Sequence, residues 1–390
     1  MHTFLERQIT SKITQKLANN PVVALLGPRQ CGKSTLAKKI ISHLKPAIYL
    51  DLELPSDQNK LTNPQSFFQF NQNQLICIDE IQRQPELFPI IRAVVDQQNK
   101  NQQFLLLGSA SQELLQQSSE SLAGRIAYLE LTPFNTQELT LQSTLDVRML
   151  LQRGGFPRSY LAVNEQESYE WRHNFIRTFL EQDIPALGIN IDTHRLRRFW
   201  MMCAHISGQL LNASKLGESL GVSHHTIRSY LELLSKTFIL RILPPLEANL
   251  KKRLVKSPKI LLRDTGLLNT LLEIENPNQL MGHPNYGHIW ESFAIEQILS
   301  QYTQWRPYFY RDSNGGEIDL ILEKGQERLA LEFKTHSNPS ISASALKIID
   351  ELNISKLHLI IPEHGSHYPL NDKTDVLGLT DFLNRRTTTL

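Results

Sequence analysis

The chain has 390 residues, 41% of them hydrophobic and 21% charged, which supplies material for several cores and excludes a disordered chain. The 41 Lys and Arg against 39 Asp and Glu leave a formal charge of +2, so any surface for nucleic acid must be local. Three scattered cysteines, Cys31, Cys77 and Cys203, argue against a disulfide framework and a structural zinc site. With no apolar leader and no 18-residue apolar run, the expectation is a cytoplasmic protein without a membrane partner.

In chain order, Val22–Leu26, Ala47–Leu50, Leu75–Ile78, Phe104–Leu107 and Ile126–Leu131 read as strands, with helices at Lys33–Leu44 and Pro89–Gln98. The strand runs are continuously apolar rather than alternating, which predicts a parallel sheet buried on both faces. The fold class is therefore α/β. Between Glu165 and Leu234 the pattern turns helical, and strands return at Glu317–Leu322, Leu329–Phe333 and Leu357–Ile361. Boundaries near 150, 205 and 275 divide the chain into 1–150, 151–205, 206–275 and 276–390.

Gly27, Pro28, Arg29, Gln30, Cys31, Gly32, Lys33 and Ser34, followed by Thr35, fit GxxxxGK[ST] between a strand and a helix. The glycines let backbone N–H groups face phosphate oxygens, and the helix N-terminus adds partial positive charge. Lys33 would reach the β/γ-phosphates of ATP and Ser34 would hold Mg²⁺. The strand Leu75–Ile78 ends in Asp79 and Glu80, a metal-side acid followed by an acid able to activate water. Glu80 points to hydrolysis and away from a small-molecule kinase. Ser109 closes another strand, where it either senses the γ-phosphate or simply makes a turn. Arg125, just before Ile126, reads as a finger for a neighbour's γ-phosphate in a homo-oligomer, or as an ordinary salt-bridged surface arginine. An ionised Cys31 thiol inside the loop would make the ATPase sensitive to oxidation.

GPRQCGKSTL, ICIDEIQRQPELFPIIRAVVD, FLLLGSAS, SLAGR, LTPFNTQEL, GGFP, RDTGLL and EIDLIL…LEFK together resemble bacterial and archaeal AAA-type ATPases that carry a C-terminal domain of unknown function. The resemblance spans nearly the whole chain. It implies a P-loop AAA-type core, a helical lid, a winged helix-turn-helix and a nuclease-like terminal fold.

Residues Leu211–Leu231 read as a helix-turn-helix, with Gly221 at the turn and Ser223 capping the second helix. His224, His225, Arg228 and Ser229 are left for its outer face, where they would meet duplex or branched DNA. Phe238–Leu243 then reads as a wing strand. Lys251, Lys252, Arg253, Lys256, Lys259 and Arg263 follow without an intervening acid, a footprint of phosphate binding or else a solvated loop. His194–Arg198 reads as the exposed face of a helix, and His283 and His288 as polar loop surface rather than metal ligands.

In the terminal segment, alternation puts Glu317, Asp319 and Ile321 on one strand face and Ile318, Leu320 and Leu322 on the other. A turn at Gly325 can pair this strand with Leu329–Phe333, which carries Glu332 beside Lys334. With Glu291 opening an amphipathic helix upstream, the set resembles the core of PD-(D/E)xK nucleases, a restriction-endonuclease-like α/β fold. There Glu291, Asp319 and Glu332 would bind Mg²⁺ and Lys334 would act on water. The plain alternative is a Glu332–Lys334 salt bridge. Two functions follow: an ATP-hydrolysing DNA-processing enzyme with a Mg²⁺-dependent nuclease site, or a nucleotide-gated switch whose nuclease-like domain is inert.

Overall fold

The structure is a computed structural model and describes residues 4–44, 46–109, 122–141, 145–186, 191–247 and 254–385. It divides into two compact units, Met1–Phe134 with Lys236–Phe238, and Asn135–Ser235 with Ile239–Leu390. The first five apolar runs form a sheet in the first unit: β1 (Val22–Leu26), β2 (Ala47–Asp51), β3 (Leu75–Asp79), β4 (Phe104–Gly108) and β5 (Ile126–Glu130). Their order is β2-β3-β4-β1-β5, and every neighbouring pair is parallel.

Ala24, Ile76, Ile78 and Leu106 pack on one face against Phe88 and Ile91 of the helix Leu87–Gln98. On the other face Val23, Leu25, Cys77 and Leu105 meet Leu36 and Ile40 of the helix Lys33–His43 and Ile13 and Leu17 of the helix Ile9–Asn19. Burial on both sides is why these strands are unbroken apolar runs. Two short helices, Pro55–Lys60 and Pro64–Phe70, were not expected from the sequence. Both begin at a proline whose fixed φ suits a first helical turn, and both are too short to show a helical period.

The second unit contains the helices Glu165–Thr178 and Thr193–His205, the latter capped by Asp192 and presenting His194, Arg195 and Arg198 to solvent. A helix pair follows, Ala213–Leu220 and His224–Lys236, with Gly221 at φ 69° between them. A residue with a side chain would be strained at that turn. Ser223 Oγ accepts from the Thr226 amide at 3.1 Å. Three short antiparallel strands accompany the pair, β6 (Gln209–Leu210), β7 (Leu240–Leu243) and β8 (Lys259–Leu262), in the order β6-β8-β7.

The terminal sheet has β9 (Arg306–Arg311), β10 (Glu317–Lys324), β11 (Glu327–Phe333), β12 (Leu357–Ile361), β13 (His367–Asn371) and β14 (Thr374–Gly378), in the order β13-β14-β12-β11-β10-β9. β10 and β11 form the antiparallel pair expected around Gly325. Strict alternation along β10 does not hold. The register against β9 shifts between Ile318 and Ile321, and both side chains enter the same core beside Ala330 and Ile348. A bulge adds one residue and flips the parity, which alternation alone cannot foresee. The helix bearing Glu291 runs from Tyr286 to Gln301 and is buried from Ile289 through Leu299, so it is a core helix rather than an amphipathic one.

The GGFP and RDTGLL motifs meet in a buried polar knot. Asp264 caps its helix through the Leu267 amide at 2.9 Å and accepts from the Gly155 amide at 2.8 Å. A Cβ on Gly154 would stand 2.2 Å from the Asp264 carboxylate, and one on Gly266 would stand 2.1 Å from the Arg153 carbonyl, so neither position accepts a side chain. The buried Arg172 donates to Thr270 Oγ1 at 2.8 Å and to Ser168 Oγ at 2.6 Å, tying the same helices together. Asp264→Ala removes a helix cap and a buried acceptor at once. It is expected to lower unfolding free energy by about 2–4 kcal/mol in a urea titration.

Candidate nucleotide site and terminal acid cluster

A parallel sheet delivers its loops to one carboxyl edge, and there β1, β3 and β4 place Gly27–Ser34, Asp79–Glu80 and Ser109 together. Gly27 is required because a Cβ would lie 2.2 Å from the Leu131 carbonyl oxygen. Gln30 at φ 62° and Gly32 at φ 100° turn the loop into the helix that starts at Lys33. Lys33 is buried and curls back so that Nζ donates to the Gly27 and Pro28 carbonyls, each at 2.9 Å. Arg29 and Thr35 are accessible on the rim, where Arg29 and Arg83 both pair with Glu53, at 3.2 and 2.9 Å.

Two side chains that sequence motifs did not flag complete this edge. Arg7, 5% exposed, donates to the Cys31 carbonyl at 3.0 Å and the Thr132 carbonyl at 2.5 Å and stacks on Phe134. It pins the base of the phosphate loop. Tyr49 on β2 donates its hydroxyl to Asp79 Oδ2 and also bonds Ser34, while Lys38 lies over its ring. Burial and the Asp79 carboxylate push the Tyr49 pKa up, so it serves as a proton-bearing donor. A lone Tyr in an apolar strand carries no motif signal; only the β2–β3 pairing brings it to Asp79.

Glu80 sits at φ 55°, a conformation uncommon for a residue with a side chain and often stored at functional sites. Its Oε2 accepts from Ser109 Oγ at 3.0 Å and from the Gln82 amide, which also reaches Ser109 Oγ at 3.1 Å. Ser109 thus meets Glu80 directly. Arg125 lies just before β5, at the end of the sheet away from the phosphate loop, and pairs there with Asp96. Its own strand, roughly 16 Å long at the usual rise, separates it from its own loop. The Cys31 expectation is overturned: the thiol is buried, and burial outweighs Lys33 and Arg7 to raise its pKa. It remains a protonated core side chain.

In the second unit Glu291, Asp319, Glu332 and Lys334 do converge, joined by Glu317. They gather around a residue expected to face solvent. Lys259 of β8 is buried, and its Nζ lies 2.8 Å from Glu291 Oε1, 2.8 Å from Glu317 Oε1 and 3.7 Å from Asp319 Oδ1. Burial alone would lower the Lys259 pKa, but Glu291, Asp319 and Glu317 override it and hold the ammonium charged. Burial and the neighbouring Glu291 push Asp319 up to about 7. Burial would likewise raise Glu291, yet Lys259 and His288 bring it below its ordinary value. Asp319 Oδ2 accepts from the Phe333 amide at 3.0 Å, and Lys334 pairs with Glu332 at 2.9 Å. His288 Nδ1 stands 3.5 Å from Glu291 Oε2. Among the described residues no group of three or more His, Cys, Asp or Glu side chains is disposed to hold a metal ion.

His224, His225, Arg228 and Ser229 are exposed on the second helix of the pair, as is Lys256 beyond it. Lys259 and Arg263 leave the expected basic cluster, because Arg263 pairs with Glu296 at 3.1 Å and Lys259 turns inward. Lys251, Lys252 and Arg253 lie outside the described residues.

A parallel sheet with this phosphate loop and acidic strand end defines a P-loop ATPase domain of the AAA type, and the family model "AAA domain" matches residues 19–140. Two domains of unknown function match the rest, DUF8612 at 144–278 and DUF4143 at 286–382. The chain belongs to the family of an uncharacterized protein of Mycobacterium tuberculosis and its counterpart in Mycobacterium bovis. It is 38% identical to each over 94% of its own length and 82% of theirs. It is also 24% identical to an uncharacterized protein of Haemophilus influenzae, over 93% of this chain and 94% of that one. No helix among the described residues is long and apolar enough to cross a membrane.

Tyr49→Phe leaves the ring packed but takes the hydroxyl from Asp79 and Ser34. Binding of a fluorescent ATP analogue with Mg²⁺ is expected to weaken about 10- to 100-fold, the worth of one lost charge-assisted hydrogen bond.

Proposed function

We propose that this protein is an oligomeric, ATP-hydrolysing machine that contacts DNA through its helix-turn-helix and converts the nucleotide state into movement of its second unit. The observation that carries the ATPase reading is the assembly of Lys33, Ser34, Asp79, Glu80 and Ser109 on one sheet edge, with Ser109 and Tyr49 holding the two acids in place. The hard oxygen donors of Ser34 and Asp79 suit Mg²⁺ beside a triphosphate, where the ion would neutralise phosphate charge.

Phosphate oxygens would replace the Gly27 and Pro28 carbonyls as partners of the Lys33 ammonium, and the N–H groups at the start of the helix Lys33–His43 would face them. Glu80 then orients a water for in-line attack and takes its proton. Ser109 and Gln82 hold the Glu80 carboxylate in a single orientation. Arg125 stabilises the transition-state charge of a neighbouring subunit's nucleotide, exchanging Asp96 for the γ-phosphate on assembly.

DNA is the partner favoured by the helix pair with β6, β7 and β8, read as a winged helix, whose second helix exposes His224, His225 and Arg228. The acids of the terminal domain give a second reading, Mg²⁺-dependent cleavage by Glu291, Asp319, Glu332 and Lys334. What favours it is the convergence of these residues, and what opposes it is the lysine at their centre.

ATP turnover by the whole protein tests the main reading. Lys33→Ala is expected to abolish it, and Glu80→Gln to lower kcat by about 10²–10⁴-fold while nucleotide still binds. Arg125→Ala alone should be inactive, yet mixing it with Lys33→Ala should restore part of the turnover, because intact loops then meet intact arginines. Full activity of Arg125→Ala by itself would refute the trans arrangement.

DNA contact is tested separately by Arg228→Ala. Duplex binding is expected to weaken, and the slope of log affinity against log salt to fall by about one.

A further inference from the structure

We propose that Lys259 is a tethered substitute for a divalent cation in the terminal domain: its ammonium takes the cation's place among the acids, and the domain clasps β8 instead of cleaving phosphodiesters. This goes beyond the ATPase reading and stands without it.

A nuclease core of the kind the sequence resembles needs its helical acid and its strand acids to share a metal ion, with a lysine free to act on water. Here the helical acid Glu291 and the strand acids Glu317 and Asp319 share the Lys259 ammonium. The remaining pair, Glu332 and Lys334, satisfy each other at 2.9 Å. A divalent ion would have to enter beside a charged, buried ammonium less than 4 Å from the same oxygens, where like charges repel.

Lys259 is also poorly placed to move aside. It is the first residue of β8, the middle strand of its sheet, and its backbone is matched to Leu210 of β6 on one side and Leu243 of β7 on the other. With the backbone held by both pairings, the ammonium can leave the acids only by a change of side-chain rotamer, inside a site where the Lys259 side chain is buried. Further ties bind the same elements. Arg241 of β7 and Arg263 after β8 both grip Glu296, five residues beyond Glu291 on the buried helix. The chain beyond β7 lies against β9, with the Leu246 amide donating to the Phe309 carbonyl at 2.7 Å and the Phe309 amide donating to the Pro244 carbonyl at 3.1 Å. The charges on Lys259, Arg241 and Arg263 thus face the terminal domain. They fasten β7 and β8, the strands that accompany the helix pair, to the terminal domain.

The experiment uses the full chain with Lys33→Ala in the background to silence the nucleotide site. Mn²⁺ alone is titrated without nucleotide and followed by electron paramagnetic resonance, and unfolding midpoints are recorded with and without Mn²⁺. With Lys259 present, the expected result is no Mn²⁺ uptake that Asp319→Asn removes, and no cutting of end-labelled duplex or forked DNA in Mg²⁺. Lys259→Met leaves three acids without their cation and should lower the midpoint by on the order of 10 °C. Mn²⁺ should recover much of that loss, with one ion taken up that a further Glu291→Gln prevents.

Mn²⁺ uptake sensitive to Asp319→Asn while Lys259 is in place overturns the proposal, as does DNA cutting lost in Lys334→Ala. A folded Lys259→Met that takes up no Mn²⁺ also overturns it, since the acids would then not form a cation position. If Lys259→Met does not fold, the measurements with Lys259 present still decide the matter. Absence of ATP turnover with Lys33 intact, or turnover that survives Lys33→Ala, would count against the ATPase reading and leave this one untouched.

Discussion

Burial of a parallel sheet on both faces is the constraint from which the first unit's chemistry follows. With apolar side chains filling both layers, polar groups can gather cheaply only where the strands stop. The strand order puts β1 between β4 and β5, and β3 beside β4, so the phosphate loop, the acidic pair and Ser109 emerge at one edge. The opposite edge receives Arg125, and a single subunit cannot bring the two ends together.

The second unit solves a different problem. It carries several charged groups in its interior, some with an opposite charge, as Lys259 with Glu291 and Glu317 and Glu296 with Arg241 and Arg263, and others held by hydroxyls or backbone amides, as Arg172 and Asp264. Such pairs add little net stability over apolar packing, but they demand a defined arrangement, because a misplaced partner leaves a charge stranded away from water. The Asp264–Gly155 knot works in the same way, with backbone glycines admitting the carboxylate where no other residue leaves space.

Much of this was legible in the chain itself. The five strands of the first sheet, the phosphate loop, the helix pair around Gly221 and the hairpin around Gly325 all rest on patterns a few residues long. Periodicity and turn chemistry act locally, so they survive in a linear reading. The short proline-led helices Pro55–Lys60 and Pro64–Phe70 and the bulge in β10 lack such a signal. The acids of the terminal domain were legible as a set, but their partner was not. Lys259 sits in a run of basic residues that looks solvent-facing, 32 positions from Glu291.

The sequence by itself determined the α/β class, the nucleotide-binding chemistry and the residue types at each site, because those are properties of neighbours along the chain. Tertiary structure alone decided which charges meet. It set Tyr49 on Asp79, Arg7 under the phosphate loop, Arg125 on Asp96 and Lys259 among the carboxylates. Coulomb attraction and desolvation act across space over a few ångströms, and the linear order of residues does not encode which distant side chain will fill that distance.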